Sequence, residues 1–394
     1  MAGPFSGSLQ RERERSMYYN KYQDKELSAL GFGCMRLPVI DGDDNRPDQT
    51  AVQEMVDYAM AHGVNYYDTA WGYHGGNSET AVGEALSKYD HKDFGIASKF
   101  PGYDLSNFGK HEEIFEKQLE KCRVGYFDFY LFHNVCETNI DAYVNDEFGL
   151  RDYLLEQKKN GRIKHLGFSC HGTYETMMRF LEKNGDIVEF CQIQLNYLDY
   201  EFQNAKAKVE ELNKRGIPIW VMEGLRGGKL AQSCLGAEEE LAKLRPDYTP
   251  ANWAFSYLES VPGVTMILSG MSSPEQMKQN IEFFGEKKAL KDEEVSILME
   301  AAHRDIQARE GTVPCTACRY CMPNCPMELE IPRLLELYNE HVYTGGGFIA
   351  PMALAAFPDD KKPSACIGCG ACAAVCPQTI DIPGTMKKFT ELLG

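Results

Sequence analysis

Eight of the 14 cysteines fall into two runs near the C-terminal end of the chain: Cys315, Cys318, Cys321 and Cys325, then Cys366, Cys369, Cys372 and Cys376. Each run reads Cys-x2-Cys-x2-Cys-x3-Cys-Pro, closed by Pro326 and Pro377. Three thiolates on one tight loop can cap three corners of an iron–sulfur cubane, while the fourth, past the turn, ligates the neighbouring cluster. The spacing therefore predicts two [4Fe-4S] clusters. Cys315, Cys318, Cys321 and Cys376 would hold one, and Cys366, Cys369, Cys372 and Cys325 the other. Gly368 and Gly370 would let the second loop wrap closely around its cluster. Zinc takes four ligands, usually as two separated Cys-x2-Cys pairs, which fits two uninterrupted runs poorly. Disulfides need an oxidising compartment, and no secretory signal opens this sequence.

A second group of polar residues lies upstream. Asp68, Lys99 and His133 stand at or just beyond the ends of short apolar segments, and Tyr73 follows in the loop after Asp68. Taken singly, these are a capping carboxylate, a rim lysine, a satisfied histidine and a packed tyrosine. Taken together they suit proton transfer. A phenol titrates near ~10; an adjacent ammonium lowers that value, a carboxylate holds the ammonium in place, and an imidazole can orient a carbonyl.

Positioning these residues requires a regular scaffold. Strand candidates are 31–35, 64–68, 94–99, 127–133, 163–169, 190–194, 217–222 and 265–268. Helix candidates between them are 49–62, 78–87, 110–121, 150–159, 174–183, 205–215, 251–260 and 274–284. Eight β-then-α units over roughly 260 residues predict an α/β fold of the TIM (β/α)8 barrel type, whose chemistry lies at strand C-terminal ends. A doubly wound sheet is the alternative, disfavoured by the eightfold regularity and by the lack of G-x-G-x-x-G after the first strand. A short hairpin is expected over 17–29. The organisation expected is a flexible extension or expression scar at 1–16, a barrel at 17–285, and a ferredoxin-like domain for the two clusters at 286–394. The long interval between the cysteine runs, with its amphipathic stretch 331–341, suits an α-helical version of that domain.

The formal net charge of −17 (41 basic, 58 acidic residues) argues against nucleic-acid and anionic-membrane binding. No apolar run approaches the ~20 residues needed to span a bilayer. The other six cysteines, at 34, 122, 136, 170, 191 and 234, lack metal spacing and read as buried thiols of a cytoplasmic protein.

Asp68-Thr69-Ala70-Trp71-Gly72-Tyr73, Ser98-Lys99 and Leu131-Phe132-His133 resemble the Asp–Tyr–Lys–His tetrad of the aldo-keto reductase superfamily, and the opening Leu30–Pro38 is similar to that family's start. The resemblance covers roughly residues 17–290. It implies a barrel that reduces carbonyls or oxidises alcohols by hydride transfer with a nicotinamide cofactor. Tyr73 would be the general acid, Lys99 its pKa-lowering partner, Asp68 the lysine's anchor and His133 the substrate-orienting group, with Trp71 lining the pocket. Ser169 and Gln194 match carboxamide-contacting positions, although the asparagine expected beside Ser169 is Cys170. Met222 stands where an aromatic ring usually stacks on nicotinamide. The loop 224–230, with Gly228, would cradle a pyrophosphate. Gly270, Ser272, Gln276 and Asn280 match positions that contact the adenosine end. Gly270 and Gln276 replace the usual basic residues there, which favours NADH over NADPH.

A hydride carries two electrons whereas each cluster passes one, so two further readings stay open. In one, a flavin or an external redox partner protein exchanges electrons with the clusters. In the other, the chain is a non-catalytic electron-transfer or regulatory subunit. The partner expected in the leading reading is a small carbonyl or alcohol.

Overall fold

The computed structural model describes residues 17–394 except 309, 310, 316, 317 and 320, so the extension expected at 1–16 lies outside the described residues. A hairpin of β1 (Tyr19–Tyr22) and β2 (Lys25–Ser28) precedes eight parallel strands. These are β3 (Leu30–Gly33), β4 (Tyr66–Asp68), β5 (Gly95–Phe100), β6 (Phe127–Val135), β7 (Ile163–Cys170), β8 (Cys191–Gln194), β9 (Ile219–Met222) and β10 (Val264–Ser269). They close in the order β10-β3-β4-β5-β6-β7-β8-β9, a TIM barrel; closure rules out the doubly wound alternative. Parallel strands are covered on both faces, which is why each reads as an apolar run rather than an alternation.

The helices begin where side chains satisfy their free N–H groups. Asp48 accepts from the Thr50 and Ala51 amides ahead of helix Gln49–Ala61, and Thr173 and Ser273 do the same for Tyr174–Asn184 and Pro274–Phe283. The hairpin plugs the N-terminal end of the barrel. Gln23 and Lys25 reach Glu189 and Asp128, beside the starts of β8 and β6. Tyr22 packs edge-on against Trp220 with ring centroids 5.0 Å apart. The opposite end of the barrel is left for chemistry.

Helix Asp292–Ala308, which the sequence places with the cluster domain, buries Leu298, Ala301 and Ala302 in the core shared by the barrel strands and helices. Its amphipathic repeat reads the same for either partner, so only packing distinguishes them. The cluster domain has its own core, built on helices Ile331–Thr344, Ile349–Leu354 and Ile382–Leu393 around Leu334, Tyr338, Met386 and Phe389. No helix among the described residues is long and apolar enough to cross a membrane.

This domain sits on the C-terminal face of the barrel. Arg226, in the loop after β9, donates to Asp199 at 2.9 Å and to Glu340 of helix Ile331–Thr344 at 2.8 Å. Its side chain is only 7% exposed. Lys229 pairs with Asp305 and places its ammonium 3.5 Å from the centroid of Tyr343. Removing one member of a buried charged group leaves the others uncompensated, at a cost of about 3–5 kcal/mol. Arg226→Ala should therefore loosen the seam, seen as faster amide hydrogen exchange along Ile331–Thr344 and a lower unfolding midpoint. Unchanged protection of that helix would show that the seam does not depend on this ion group.

Candidate active site and cluster cavities

Adjacent strands bring the four candidate catalytic residues together. Asp68 on β4 is in register with Ala97 on β5, and Lys99, two residues further along, emerges on the same face of β5. The Lys99 ammonium donates to Asp68 Oδ1 at 2.6 Å and to the Thr69 carbonyl at 2.7 Å. It lies 5.0 Å from the centroid of the Tyr73 ring. Lys99 is 1% exposed and Asp68 3%. His133, near the end of β6, meets Tyr73 edge-on at 5.9 Å, and its carbonyl accepts from the Tyr143 hydroxyl at 2.6 Å.

Neighbouring residues hold this arrangement in place. The Tyr73 amide donates to the Ala70 carbonyl at 3.2 Å. His74 then takes a left-handed backbone (φ 53), where its ring accepts from the Leu37 amide at 3.0 Å and meets the Asp44 carbonyl at 2.7 Å. Those two bonds offset the strain of a non-glycine residue at positive φ. Behind Lys99, the Ser98 hydroxyl donates to the buried Glu79 carboxylate at 2.6 Å, and the Gln118 amide bridges Glu79 and the Lys99 carbonyl. Trp71 is held by the Lys121 ammonium, 4.3 Å above its ring.

Burial dominates the electrostatics. It raises Tyr73 above the ordinary phenol value, with the Lys99 charge and hydrogen bond pulling the other way. The lysine thus has the effect read from the sequence, but desolvation outweighs it and the phenol keeps its proton. Burial acts to lower Lys99, yet Asp68 and Tyr73 beside it hold the ammonium above its ordinary value. His133 is driven well below the usual imidazole range by burial, then by the charge of Lys99. His171 is pushed down to about 4 by burial and by Lys208. Both imidazoles are therefore neutral at pH 7.

The expected cofactor residues divide into those near the mouth and those already engaged elsewhere. The Ser169 hydroxyl accepts from the Asn134 amide at 2.8 Å, and the Gln194 amide donates to Asp199 at 2.8 Å. Met222 closes β9, partly buried. Gly228, at φ +94, lies in the loop that Arg226, through Glu340, and Lys229, over the Tyr343 ring, tie to the cluster domain, so that loop's basic side chains serve the seam. Gly270 packs against the aliphatic stem of Arg36, which would lie 3.2–3.3 Å from a Cβ placed there. The Ser272 amide donates to Gln276 Oε1 at 2.9 Å, and the buried Asn280 amide donates to Ser269 at 3.0 Å. Sequence reasoning missed Tyr103, whose ring meets His133 edge-on at 5.4 Å and whose hydroxyl leaves no room for a Cβ at Gly72. It also missed Asn134 and gave His171 no role. Buried Asn134 Oδ1, His133 Nδ1 and His171 Nδ1 lack a hydrogen-bond partner among the described residues.

The cysteines surround two cavities. Cys325, Cys366, Cys369 and Cys372 line one, together with Met327, Leu329 and Ile331. Cys315, Cys318, Cys321 and Cys376 line the other, against Pro332 and Leu335. The fourth cysteine of each run crosses to the other's cavity. Among the described residues no group of three or more Cys, His, Asp or Glu side chains converges on a single ion site. Four thiols spread around an apolar space, with Gly368 and Gly370 at φ +72 and +75, suit a cubane rather than one metal ion.

The family model described as the aldo/keto reductase family matches residues 29–303, and a 4Fe-4S dicluster domain model matches 314–380. The uncharacterized oxidoreductase YqkF of Bacillus subtilis is 25% identical over 72% of this chain and 95% of its own length. The NADH-specific methylglyoxal reductase of Escherichia coli is 24% identical over 66% of this chain and 90% of its own. Aldo-keto reductase AKR11C1 from Bacillus halodurans (holo form) superposes with a TM-score of 0.59 at 22% identity, covering 72% of this chain and 96% of that one. An aldo-keto reductase from Klebsiella pneumoniae in complex with NADPH gives 0.57 at 17%, covering 72% and 94%. These structural likenesses concern the fold.

With two clusters, anaerobically prepared protein should hold about eight iron and eight sulfide per chain. Cys376→Ala should lose the cluster of Cys315, Cys318 and Cys321, leaving about four iron. Loss of the other cluster instead, tracked in paired single-cysteine variants, would reverse the crossing.

Proposed function

The chain belongs to the aldo/keto reductase family and carries a 4Fe-4S dicluster domain behind its barrel, and from that premise we propose hydride transfer between a nicotinamide dinucleotide and a carbonyl compound or alcohol. Tyr73 is the proton donor to the carbonyl oxygen, or the acceptor in the reverse direction. The observation that carries this reading is the buried Asp68–Lys99 contact at 2.6 Å beneath the Tyr73 ring. It keeps a cation shielded from water beside a phenol, where charge developing on that oxygen is stabilised most strongly. Neutral His133 hydrogen-bonds the substrate oxygen without adding a second charge beside Lys99. When bound, the nicotinamide supplies or accepts the hydride.

A second reading, electron exchange between the clusters and an external carrier, is favoured by one feature. The loop that would grip a pyrophosphate has its cations engaged by protein groups instead, Arg226 by Asp199 and Glu340 and Lys229 by Asp305 and the Tyr343 ring.

Removal of a general acid typically costs ~10²–10⁴-fold in rate. Tyr73→Phe should lower kcat by that order while leaving dinucleotide affinity nearly intact; full turnover in the folded, cluster-loaded variant would sink the assignment. For cofactor choice we propose NADH. Gly270 and Gln276 carry no charge, and the nearby Arg36 guanidinium faces Glu223 at 3.8 Å. Calorimetric titration should give tighter binding of NADH than of NADPH. The opposite order would point to Arg36 as the 2′-phosphate ligand, and binding of neither would advance the second reading.

A further inference from the structure

Residues 342–358 contain no charged side chain, in a chain where a quarter of all residues are charged. This stretch closes helix Ile331–Thr344, passes through Gly345, Gly346 and Gly347, and enters helix Ile349–Leu354. A buried hairpin would account for such a composition if its apolar residues all faced inward, but they do not. Ala350, Ala353 and Leu354 are buried in the cluster domain's own core. Phe348 and Met352, four residues apart and so on one face, meet the barrel instead. The Phe348 ring stands edge-on to His171 with centroids 5.9 Å apart, and Met352 Sδ accepts from the Asn134 side-chain amide at 3.6 Å. Both barrel residues lie at the ends of strands, beside His133.

Phe348 nevertheless remains 55% exposed, a large apolar side chain left open at the rim of the candidate active site. It has company there. Met35 follows the first barrel strand and is 51% exposed; Tyr103 follows the third and is 40% exposed. Tyr103 stacks edge-on against His133 as Phe348 does against His171. Each neutral imidazole thus carries one exposed aromatic ring. Beneath them lie the His133 and His171 rings and the Asn134 side chain. Apolar walls with a few convergent polar atoms are the make-up of a small-molecule pocket.

We propose, resting on the hydride-transfer reading above, that the iron–sulfur domain supplies the outer wall of the substrate pocket, with Phe348 as its substrate-contacting residue, and that the substrate is a carbonyl or alcohol with a flat, apolar body. The polar end of the substrate meets His133 and Tyr73, and its ring lies along Tyr103 and Phe348. The three glycines, two of them at φ +67 and +99, let the chain make the sharp return that presents Phe348. The domain therefore contributes to recognition whether or not its clusters exchange electrons during turnover.

The test uses the full, cluster-loaded chain and a readout that does not require turnover. Calorimetry compares two unreactive carbonyl mimics, an aromatic carboxamide and an acyclic carboxamide of like polarity. In the native protein the aromatic mimic binds more tightly. In Phe348→Ala, with iron content unchanged, the ratio of the two affinities falls about tenfold, the order of an aromatic contact, and Phe348→Tyr restores it. An unchanged ratio, or no preference in the native protein, overturns the proposal. Turnover is assayed separately. Absence of nicotinamide-linked reduction of any carbonyl removes the hydride-transfer reading, while the affinity ratio still reports on the wall.

Discussion

A cation taken out of water has to bring its counter-charge with it, because desolvation costs several kcal/mol that only close, well-bonded partners return. Two buried cations organise this protein. Lys99 is answered by Asp68 from the neighbouring strand, and Arg226 by Asp199 and Glu340, one from the barrel and one from the cluster domain. The first pair requires β4 and β5 to be adjacent and in the register that closure of the barrel provides. The second requires the cluster domain to be seated on that barrel's C-terminal face. Site and seam are therefore consequences of the same constraint.

The seam also links the clusters to the mouth through a single helix. The cavity of Cys315, Cys318, Cys321 and Cys376 is lined by Pro332 and Leu335, near the start of Ile331–Thr344. Glu340 and Tyr343, near its end, hold Arg226 and Lys229. From Leu335 to Tyr343 the helix rises ~12 Å. That cavity and the 224–230 loop thus meet the two ends of one helix. The loop after β9 departs here from the role its glycines and basic residues suggest, since its cations face a protein surface.

Much of this was legible in the sequence, and the parts that were not share a cause. The barrel strands were readable to within two residues at either end because parallel strands are apolar on both faces. Asp68, Lys99 and His133 could be found because each is a polar residue ending an apolar run, and the cysteines because their spacing is a ligand geometry in itself. Arg226, Tyr103 and Phe348 could not be placed. Arg226 lies in a loop that reads as a pyrophosphate cradle, and nothing in the spacing around Tyr103 or Phe348 sets them apart, since their roles depend on which distant surface each meets. Helix Asp292–Ala308 failed for the same reason: its periodicity says that one face is buried, not against what.

The balance at Tyr73 carries the argument one step further. Opposed influences act on the phenol: burial, then the Asp68 charge and Cys34, raise its pKa, and Lys99 lowers it. Had the ammonium stood alone, it would favour a tyrosinate. With Asp68 at 2.6 Å from that ammonium, much of its field is spent on the carboxylate, and burial settles the outcome in favour of the protonated phenol. A protonated phenol is the form that donates to a carbonyl oxygen. The reverse reaction would need a buried tyrosinate near Asp68 before any proton could be accepted. In the proposed chemistry the resting phenol is therefore the proton-donating form, and Asp68, beside holding Lys99, adds to burial in keeping that proton on Tyr73.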